Sequence, residues 1–291
     1  MNRFRVLVTG SSGQLGSEIR LLANSMMSDG VFFFTDVREL DVTNLQQIRV
    51  YVKSNSINVI INCAAYTAVD KAESEEDKAY LVNALAPQYL AEVAKEFNCK
   101  FIHISTDYVF DGRNYRPYVE TDVPNPLSVY GKTKLDGEEL IKRVNPEHSI
   151  IVRTSWVYSS FGNNFVKTMR KLFQSKESLS IIYDQVGAPT YARDLAEAIL
   201  KIVPQINNKV TETYHYSNEG VISWFDFAQA ILEIEGLTCA LFPIRTEQYP
   251  TKATRPRYSV MDKAKIKEQF NLKIPYWRTS LQSALSSMNE D

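Results

Sequence analysis

The chain has 291 residues, with 33 Lys and Arg balanced by 34 Asp and Glu. This length allows one large α/β domain or two coupled ones, and the balanced charge indicates neither a nucleic-acid nor a membrane partner. No stretch approaches the roughly 20 apolar residues that a membrane helix needs. Three cysteines far apart in the chain, without metal-ligand or redox spacing, predict reduced thiols in a cytoplasmic protein.

The first half of the chain alternates short apolar runs with helical patterns, which is typical of parallel βαβ units. The near-continuous apolar character of the runs favours a sheet that is covered on both faces. We therefore predict an α/β fold with a Rossmann-like, doubly wound parallel sheet. The predicted strands are Arg5–Thr9, Val31–Thr35, Val59–Asn62, Lys100–Ser105 and Ser149–Arg153, and the predicted helices are Gln14–Ser25, Leu45–Ser54, Glu76–Glu96 and Tyr130–Val144.

The pattern becomes less regular after Arg153, where a smaller C-terminal substrate-binding lobe is expected. A strand near Thr213–Ser217 and a helix at Trp224–Glu235 are predicted there. We divide the chain into an NAD(P)-binding Rossmann domain of residues 1–153, with a returning segment of about 183–212, and a sugar-nucleotide substrate lobe of about 154–182 and 213–291.

The stretch "VLVTGSSGQLGSEI" follows the first strand and opens the first helix, with Gly10, Gly13 and Gly16 at regular spacing. Such glycines permit a tight turn, the approach of a pyrophosphate and close helix packing, and the helix N-terminus favours phosphate. Asp36, at the end of the second strand, could bind the adenosine ribose. Because Asp36 would repel a 2′-phosphate while Arg38 could bind one, the sequence leaves NADH and NADPH open.

The stretch "NPLSVYGKTKLDGEEL" places Tyr130 and Lys134 four residues apart at a helix start, so the two side chains share one face. A cation about 5 Å from the phenol contributes on the order of 3 kcal/mol at an effective dielectric of 20. That would supply most of the roughly 4 kcal/mol needed to bring a phenol pKa near 7. The alternative is a half-exposed helix face where Tyr and Lys meet by chance.

The glycine spacing and the Tyr130-x-x-x-Lys134 pair together resemble the extended short-chain dehydrogenase/reductase family. The stretches "NCAAYTAVDKAES", "STDYVFDG", "VYGKTKLDGE", "RTSWVY", "GNNF" and "GAPT" narrow the resemblance to the dTDP-4-dehydrorhamnose reductases. It covers nearly the whole chain, as far as "RPRYS" at 255–259. The resemblance implies reduction of a dTDP-sugar by NADPH or NADH in the pathway to dTDP-L-rhamnose.

The resemblance also implies roles for individual residues. Tyr130 would donate the proton, Lys134 would assist it and hold the nicotinamide ribose, and Thr106 would hydrogen-bond the reacting oxygen. The implied cofactor-binding residues are Gly10, Gly13, Gln14, Leu15, Gly16, Asp36, Asp41, Val42, Ala64, Ala65 and Tyr66. The implied substrate-binding residues are Thr106, Trp156, Asn163, Asn164 and Arg257. Alternatively, Trp156 is a core residue, and Asn163 and Asn164 are turn residues. For Arg257, as for Arg255, the alternative is a surface arginine without a role at the site.

Related activities remain as alternatives. The resemblance implies that nucleotide-sugar dehydratases follow the active-site threonine with Asp-Glu, whereas this chain has Thr106-Asp107-Tyr108 and so lacks the glutamate. A 4-epimerase shares the Thr-Tyr-Lys set, and a relative in animals is a non-catalytic regulatory subunit of methionine adenosyltransferase. Some family members are dimers bridged by magnesium, so a homodimer is possible; Glu18 is placed for such a role, but we assign no metal.

Overall fold

A computed structural model describes residues 3–290. Its centre is a six-stranded sheet with the order β10-β5-β4-β3-β1-β2, in which every pair of neighbours is parallel. The predicted parallel sheet is therefore confirmed, and the five predicted strands are present with ends that differ by at most one residue. The strands are β1 Arg5–Thr9, β2 Val31–Thr35, β3 Val59–Asn62, β4 Lys100–Thr106, β5 Ser149–Thr154, β6 Val157–Tyr158, β7 Ser178–Ile182, β8 Val186–Gly187, β9 Thr190–Tyr191, β10 Glu212–His215, β11 Ile222–Ser223 and β12 Ala240–Ile244.

The helices connect these strands and cover both faces of the sheet. None of those within residues 3–290 is both long and apolar enough to cross a membrane. The helices are α1 Gln14–Met26, α2 Leu45–Ser54, α3 Val69–Ala72, α4 Glu76–Tyr80, α5 Ala86–Glu96, α6 Val129–Val144, α7 Phe165–Ser175, α8 Ala192–Ile202, α9 Trp224–Glu235, α10 Ala264–Phe270 and α11 Trp277–Glu290.

The single helix predicted over Glu76–Glu96 is interrupted in the structure. A π-helical turn, Leu81–Leu85, separates α4 from α5. Pro87 lies at the start of α5. It has no N–H to donate to the carbonyl of Asn83, and its ring crowds that carbonyl. One wider turn before the proline resolves this conflict.

Side chains of β1 point alternately to the two faces of the sheet and contribute to a hydrophobic core on each face. Val6 and Val8 face α1 and α8, where they pack with Ile19 and Ile199. Leu7 points to the opposite face, into a cluster that includes Ile48 of α2, Leu90 of α5 and Ile141 of α6. Burial on both faces explains why the strand sequence is continuously apolar.

The second lobe has its own core and three small two-stranded sheets. Phe227 and Ile231 of α9 pack with Trp277 and Leu281 of α11, beside the pairs β12–β7, β11–β8 and β6–β9. Between these elements the chain returns to the first lobe, where α8 packs on α1 and β10 pairs with β5. The strand β10, which ends at His215, thus belongs to the central sheet.

Candidate active site

A cavity of about 1220 Å³ lies at the carboxyl ends of the sheet strands. Its floor is at the junction of β1 and β3, where the order of the strands changes direction. In open α/β sheets this is the position at which ligands bind. The sequence-predicted residues that line the cavity are Gly10, Gly13, Gln14, Leu15, Asp36, Asp41, Val42, Ala64, Ala65, Thr106, Tyr130, Lys134, Trp156 and Asn163.

The glycine turn between β1 and α1 fits a dinucleotide pyrophosphate. Gly10 has φ +64°, and a Cβ there would lie 2.7 Å from Ala64 Cα. A Cβ at Gly16 would lie 2.5 Å from the carbonyl oxygen of Gly10, so Gly16 acts by packing and does not line the cavity. Among residues 3–290, no side chain caps the first turn of α1, which starts after Gly13. The backbone N–H groups of that turn are therefore free to bind an anion.

The adenosine end of the cavity carries charges of both signs. Asp36 Oδ2 accepts hydrogen bonds from the backbone N–H of Ser12 at 3.0 Å and from Ser11 Oγ at 3.3 Å. Arg38 lines the same end of the cavity, beside Asp41. Asp36 would accept hydrogen bonds from a ribose with free hydroxyls, and Arg38 would be the cation available to a 2′-phosphate.

Thr106 and Tyr130 come from two different elements. Thr106 is the last residue of β4, and its Oγ1 accepts from the Tyr108 N–H at 3.2 Å and donates to Asp107 Oδ1 at 3.1 Å. Ser128 caps α6 by accepting from the N–H of Gly131, so that Tyr130 lies in the first turn. The ring of Tyr130 packs edge-to-face on Tyr108, with centroids 5.5 Å apart.

The structure does not show the lowering of the Tyr130 pKa that was expected from Lys134. Burial raises the pKa of Tyr130 to about 12, with Thr106 opposing and Asp107 reinforcing the rise. Lys134 is not among the groups that set this pKa; its Nζ donates to the backbone oxygen of Ile104 at 2.7 Å and lies 3.3 Å from His103 Nε2. Burial also lowers the pKa of Lys134 itself, to about 8.

Asp107 also lies at the site, although the sequence predicted no role for it in the reaction. Its side chain lines the cavity but is almost fully buried, and its Oδ2 atom has no hydrogen-bond partner among residues 3–290. Burial raises the pKa of Asp107 to about 6. A buried carboxyl group is therefore held next to both Thr106 and Tyr130.

Trp156 faces the cavity in an unusual conformation. Its φ is +48°, in the left-handed region that bulky residues rarely adopt. Its ring stacks on Trp224 with centroids 3.6 Å apart. A Cβ at Gly187 would lie 2.9 Å from the Trp156 ring, so a glycine there gives the indole room.

The two asparagines of "GNNF" have different surroundings. Asn163 lines the cavity, whereas Asn164 does not. Asn164 caps α7 and donates to Gln14 Oε1 at 3.0 Å and to the backbone oxygen of Ser159 at 2.7 Å. It connects the two lobes at the edge of the site.

Two further predicted site residues lie outside the residues that line the cavity. Tyr66 donates through its hydroxyl to Glu75 Oε2 at 2.9 Å. Arg257 is 57% exposed in its side chain and pairs with Glu247. Arg255, which the sequence placed beside it, pairs with Asp70 at 2.7 Å.

Glu18 is buried, and it accepts a hydrogen bond from Ser159 Oγ at 2.6 Å. Burial raises its pKa. Within residues 3–290, no three His, Cys, Asp or Glu side chains are grouped closely enough to hold a metal ion.

The doubly wound sheet, the glycine turn and the Tyr130–Lys134 pair on one cavity define a nicotinamide-cofactor-binding protein of the short-chain dehydrogenase/reductase class. Residues 4–290 match the family described as RmlD substrate binding domain, and the chain belongs to this family.

Named relatives cover almost the whole chain. A dTDP-4-dehydrorhamnose reductase from Aggregatibacter actinomycetemcomitans is 43% identical over 96% of this chain and 97% of that protein. A dTDP-4-keto-6-deoxy-D-glucose reductase from Streptomyces niveus is 34% identical over 99% of this chain and 98% of that protein. Both matches thus extend through the two lobes.

A solved structure is similar to this chain over almost its whole length. The dTDP-4-dehydrorhamnose reductase from Bacillus anthracis in complex with NADP is 37% identical, covers 98% of this chain and 100% of its own, and superposes with a TM-score of 0.93. This chain therefore has the fold of a protein whose solved structure is a complex with NADP.

Proposed function

We propose that this protein reduces the 4-keto group of dTDP-4-dehydro-L-rhamnose with NADPH or NADH, giving dTDP-L-rhamnose. The observation that carries the proposal is the meeting of Thr106, Tyr130 and Lys134 at the cavity that the glycine turn opens into, in a chain of this family. The reaction would take place in the cytoplasm, and its product would be used to make cell-surface polysaccharide. A homodimer stays a prediction, which light scattering would test.

When bound, the cofactor would supply the hydride. The side chains of this protein would stabilise the negative charge that develops on the substrate. Negative charge grows on the carbonyl oxygen of the sugar as its carbon is reduced. Thr106 would turn the hydroxyl proton that it donates to Asp107 Oδ1 toward that oxygen, and Tyr130 would give the oxygen a proton, which completes the alcohol. The N–H groups of the first turn of α1 would hold the pyrophosphate, and Asp36 would hold the adenosine ribose.

The alternatives are weaker on specific grounds. Elimination of water would need an acid and a base, and Tyr108 occupies the position of the second carboxylate. A purely regulatory protein would have no use for a complete set of Thr106, Tyr130 and Lys134. One relative is named for a different keto-sugar, dTDP-4-keto-6-deoxy-D-glucose. This close analogue should therefore be tested beside dTDP-4-dehydro-L-rhamnose.

The experiment is to follow the oxidation of NADH and NADPH with enzymatically generated dTDP-4-dehydro-L-rhamnose and with dTDP-4-keto-6-deoxy-D-glucose. Wild type and Tyr130→Phe are compared, because phenylalanine removes only the proton donor. Turnover in wild type and a loss of about 100-fold or more in the variant, with cofactor binding retained, are expected.

Two results would contradict the proposal. Near-normal turnover in Tyr130→Phe would show that Tyr130 is not the acid. Cofactor binding by wild type without turnover of either sugar would favour the regulatory function.

A further inference from the structure

Four buried polar side chains form a continuous chain of hydrogen bonds from β1 to the active site: Thr9, Asn62, His103 and Lys134. We propose that His103 is a positioning residue whose Nε2–H group faces the Lys134 amino group and favours its neutral form. Lys134 would then release a proton readily. The inference deepens the proposed reductase activity and rests on it for the use of that proton.

The orientation of the Asn62 amide is fixed by its neighbours. Its Oδ1 accepts from the backbone N–H of Ala64 at 3.2 Å, and a backbone N–H can only donate. The Thr9 hydroxyl donates to the same oxygen at 2.7 Å. The atom that meets His103 Nδ1 at 2.9 Å is therefore the Nδ2 amide nitrogen.

Asn62 in turn fixes the tautomer of His103. An amide N–H is a donor, so Nδ1 of His103 must be the unprotonated acceptor. Burial, reinforced by the charge of Lys134, lowers the pKa of His103 well below its usual 6.5, so the ring is neutral. A neutral imidazole with a free Nδ1 carries its proton on Nε2.

The Nε2–H group therefore points at Lys134 Nζ, 3.3 Å away. An ammonium has three donors and no acceptor, so donor would meet donor. A neutral amine has a lone pair that can accept this proton. The bond from Nζ to the carbonyl oxygen of Ile104 is open to both forms and does not discriminate between them.

Charged and titratable groups from other elements also act on Lys134. Glu138, one turn later on α6, and Cys63, just after β3, both raise its pKa, but burial has the larger effect and lowers it. Tyr130 shares the cavity. The His103 donor thus acts in the same direction as burial and against Glu138.

The other fully buried histidine shows the opposite arrangement. His215 Nδ1 lies 3.2 Å from the backbone oxygen of Tyr118, so this nitrogen carries the proton. Its Nε2 lone pair then faces Arg153 Nη1 at 3.5 Å. A lone pair that meets a cation needs no change of charge, so His215 provides a matched control.

The arrangement suits the proton balance of the reduction. Tyr130 gives a proton to the sugar oxygen and becomes a phenolate, a strong base because its pKa is about 12. Lys134 returns a proton to Tyr130 and becomes the neutral amine, to which His103 donates. Lys134 then recovers its proton from solvent before the next turnover.

The test begins with the wild-type enzyme free of cofactor. NMR of isotope-labelled histidine should show His103 with its proton on Nε2 and none on Nδ1. NMR of isotope-labelled lysine should show Lys134 titrating near pH 8, about 2.5 pH units below an ordinary lysine. The Lys134 signal is identified by its absence in Lys134→Met.

Three variants then separate His103 from its surroundings. His103→Gln places an amide oxygen near the position of Nε2, so the ammonium gains an acceptor and the pKa of Lys134 should rise by about one unit or more. His103→Asn keeps an acceptor for Asn62 and removes the Nε2–H, so the change should have the same direction. His215→Gln should leave the pKa of Lys134 unchanged.

A proton on Nδ1 of His103, or an unchanged Lys134 pKa in either folded His103 variant, would overturn the inference. The wild-type tautomer decides the matter even if both variants fail to fold. Loss of the proposed function looks different: wild type would bind NADPH without turning over sugar, while Lys134 would still titrate near pH 8.

Discussion

Asp107 is predicted to destabilise the folded protein at neutral pH. The residue is 2% exposed, and burial raises its pKa from the ordinary 3.8 to about 6, against weaker lowering by Ser259 and Thr106. At 1.36 kcal/mol per pH unit, this difference of about 2.2 units corresponds to about 3 kcal/mol. Asp107→Asn keeps the shape and removes the charge, so it should raise the free energy of unfolding at pH 7 by up to about 3 kcal/mol.

The sign of the pH dependence follows from proton binding. Between about pH 4 and 6 the folded wild type binds a proton at Asp107 that the unfolded chain releases. The stability conferred by that proton is therefore lost as pH rises through this window. Asp107→Asn lacks the effect, so its advantage over wild type should grow from near zero at about pH 4 to its full value at pH 7.

Urea unfolding followed by tryptophan fluorescence at both ends of this window measures the difference. Asp111→Asn is the matched control, because burial raises the pKa of Asp111 but hydrogen bonds from Arg113, Asn125 and Tyr118 together outweigh it and lower this pKa. That variant should lose stability at pH 7. The reasoning is refuted if Asp107→Asn is less stable than wild type at pH 7, or if its advantage does not depend on pH.

Three further substitutions test other parts of the structure. Asp36→Ala removes the carboxylate that would repel a 2′-phosphate, so the kcat/KM ratio of NADPH to NADH should rise about 10-fold; an unchanged ratio would mean that the ribose is recognised elsewhere. Glu138→Gln leaves the buried guanidinium of Arg153, now 2.7 Å from Glu138 Oε2, without its counter-charge, and urea unfolding should show a loss of about 3–5 kcal/mol. Gly137→Ala would place a Cβ 2.1 Å from the backbone oxygen of Asn83, so a lower melting temperature is expected, and an unchanged one would argue against this close approach.

The sequence was a good guide wherever local chemistry determines the structure. The five central strands are apolar because both of their faces are buried. The positive φ of Gly10 can be read from a glycine that follows a strand, and the close approach at Gly16 from a glycine in the first turn of the next helix. The π-helical turn was missed, because Pro87 disturbs the helix at a carbonyl four residues earlier and the side-chain pattern continues across the interruption.

The electrostatics of the site depend on partners that sequence spacing does not reveal. The i,i+4 spacing shows that Tyr130 and Lys134 share a face, but the lysine chain is flexible and its amine lies at the carbonyl of Ile104, on a neighbouring strand. The sequence does not reveal an acidic partner for Arg257, yet the fold places Glu247 next to it. Long-range contacts of this kind set the pKa values and the exposure of the side chains.

The position of β10 at the outer edge of the sheet has a consequence for synthesis of the chain. Its partner β5 ends at Thr154, whereas β10 is complete only at His215. On the ribosome, the growing sheet therefore presents the unpaired backbone of β5 while the intervening residues are still being made. Exposed strand edges of this kind promote aggregation. A fragment that stops after β5 would keep that edge permanently, so the nucleotide-binding half is best produced as part of the whole chain.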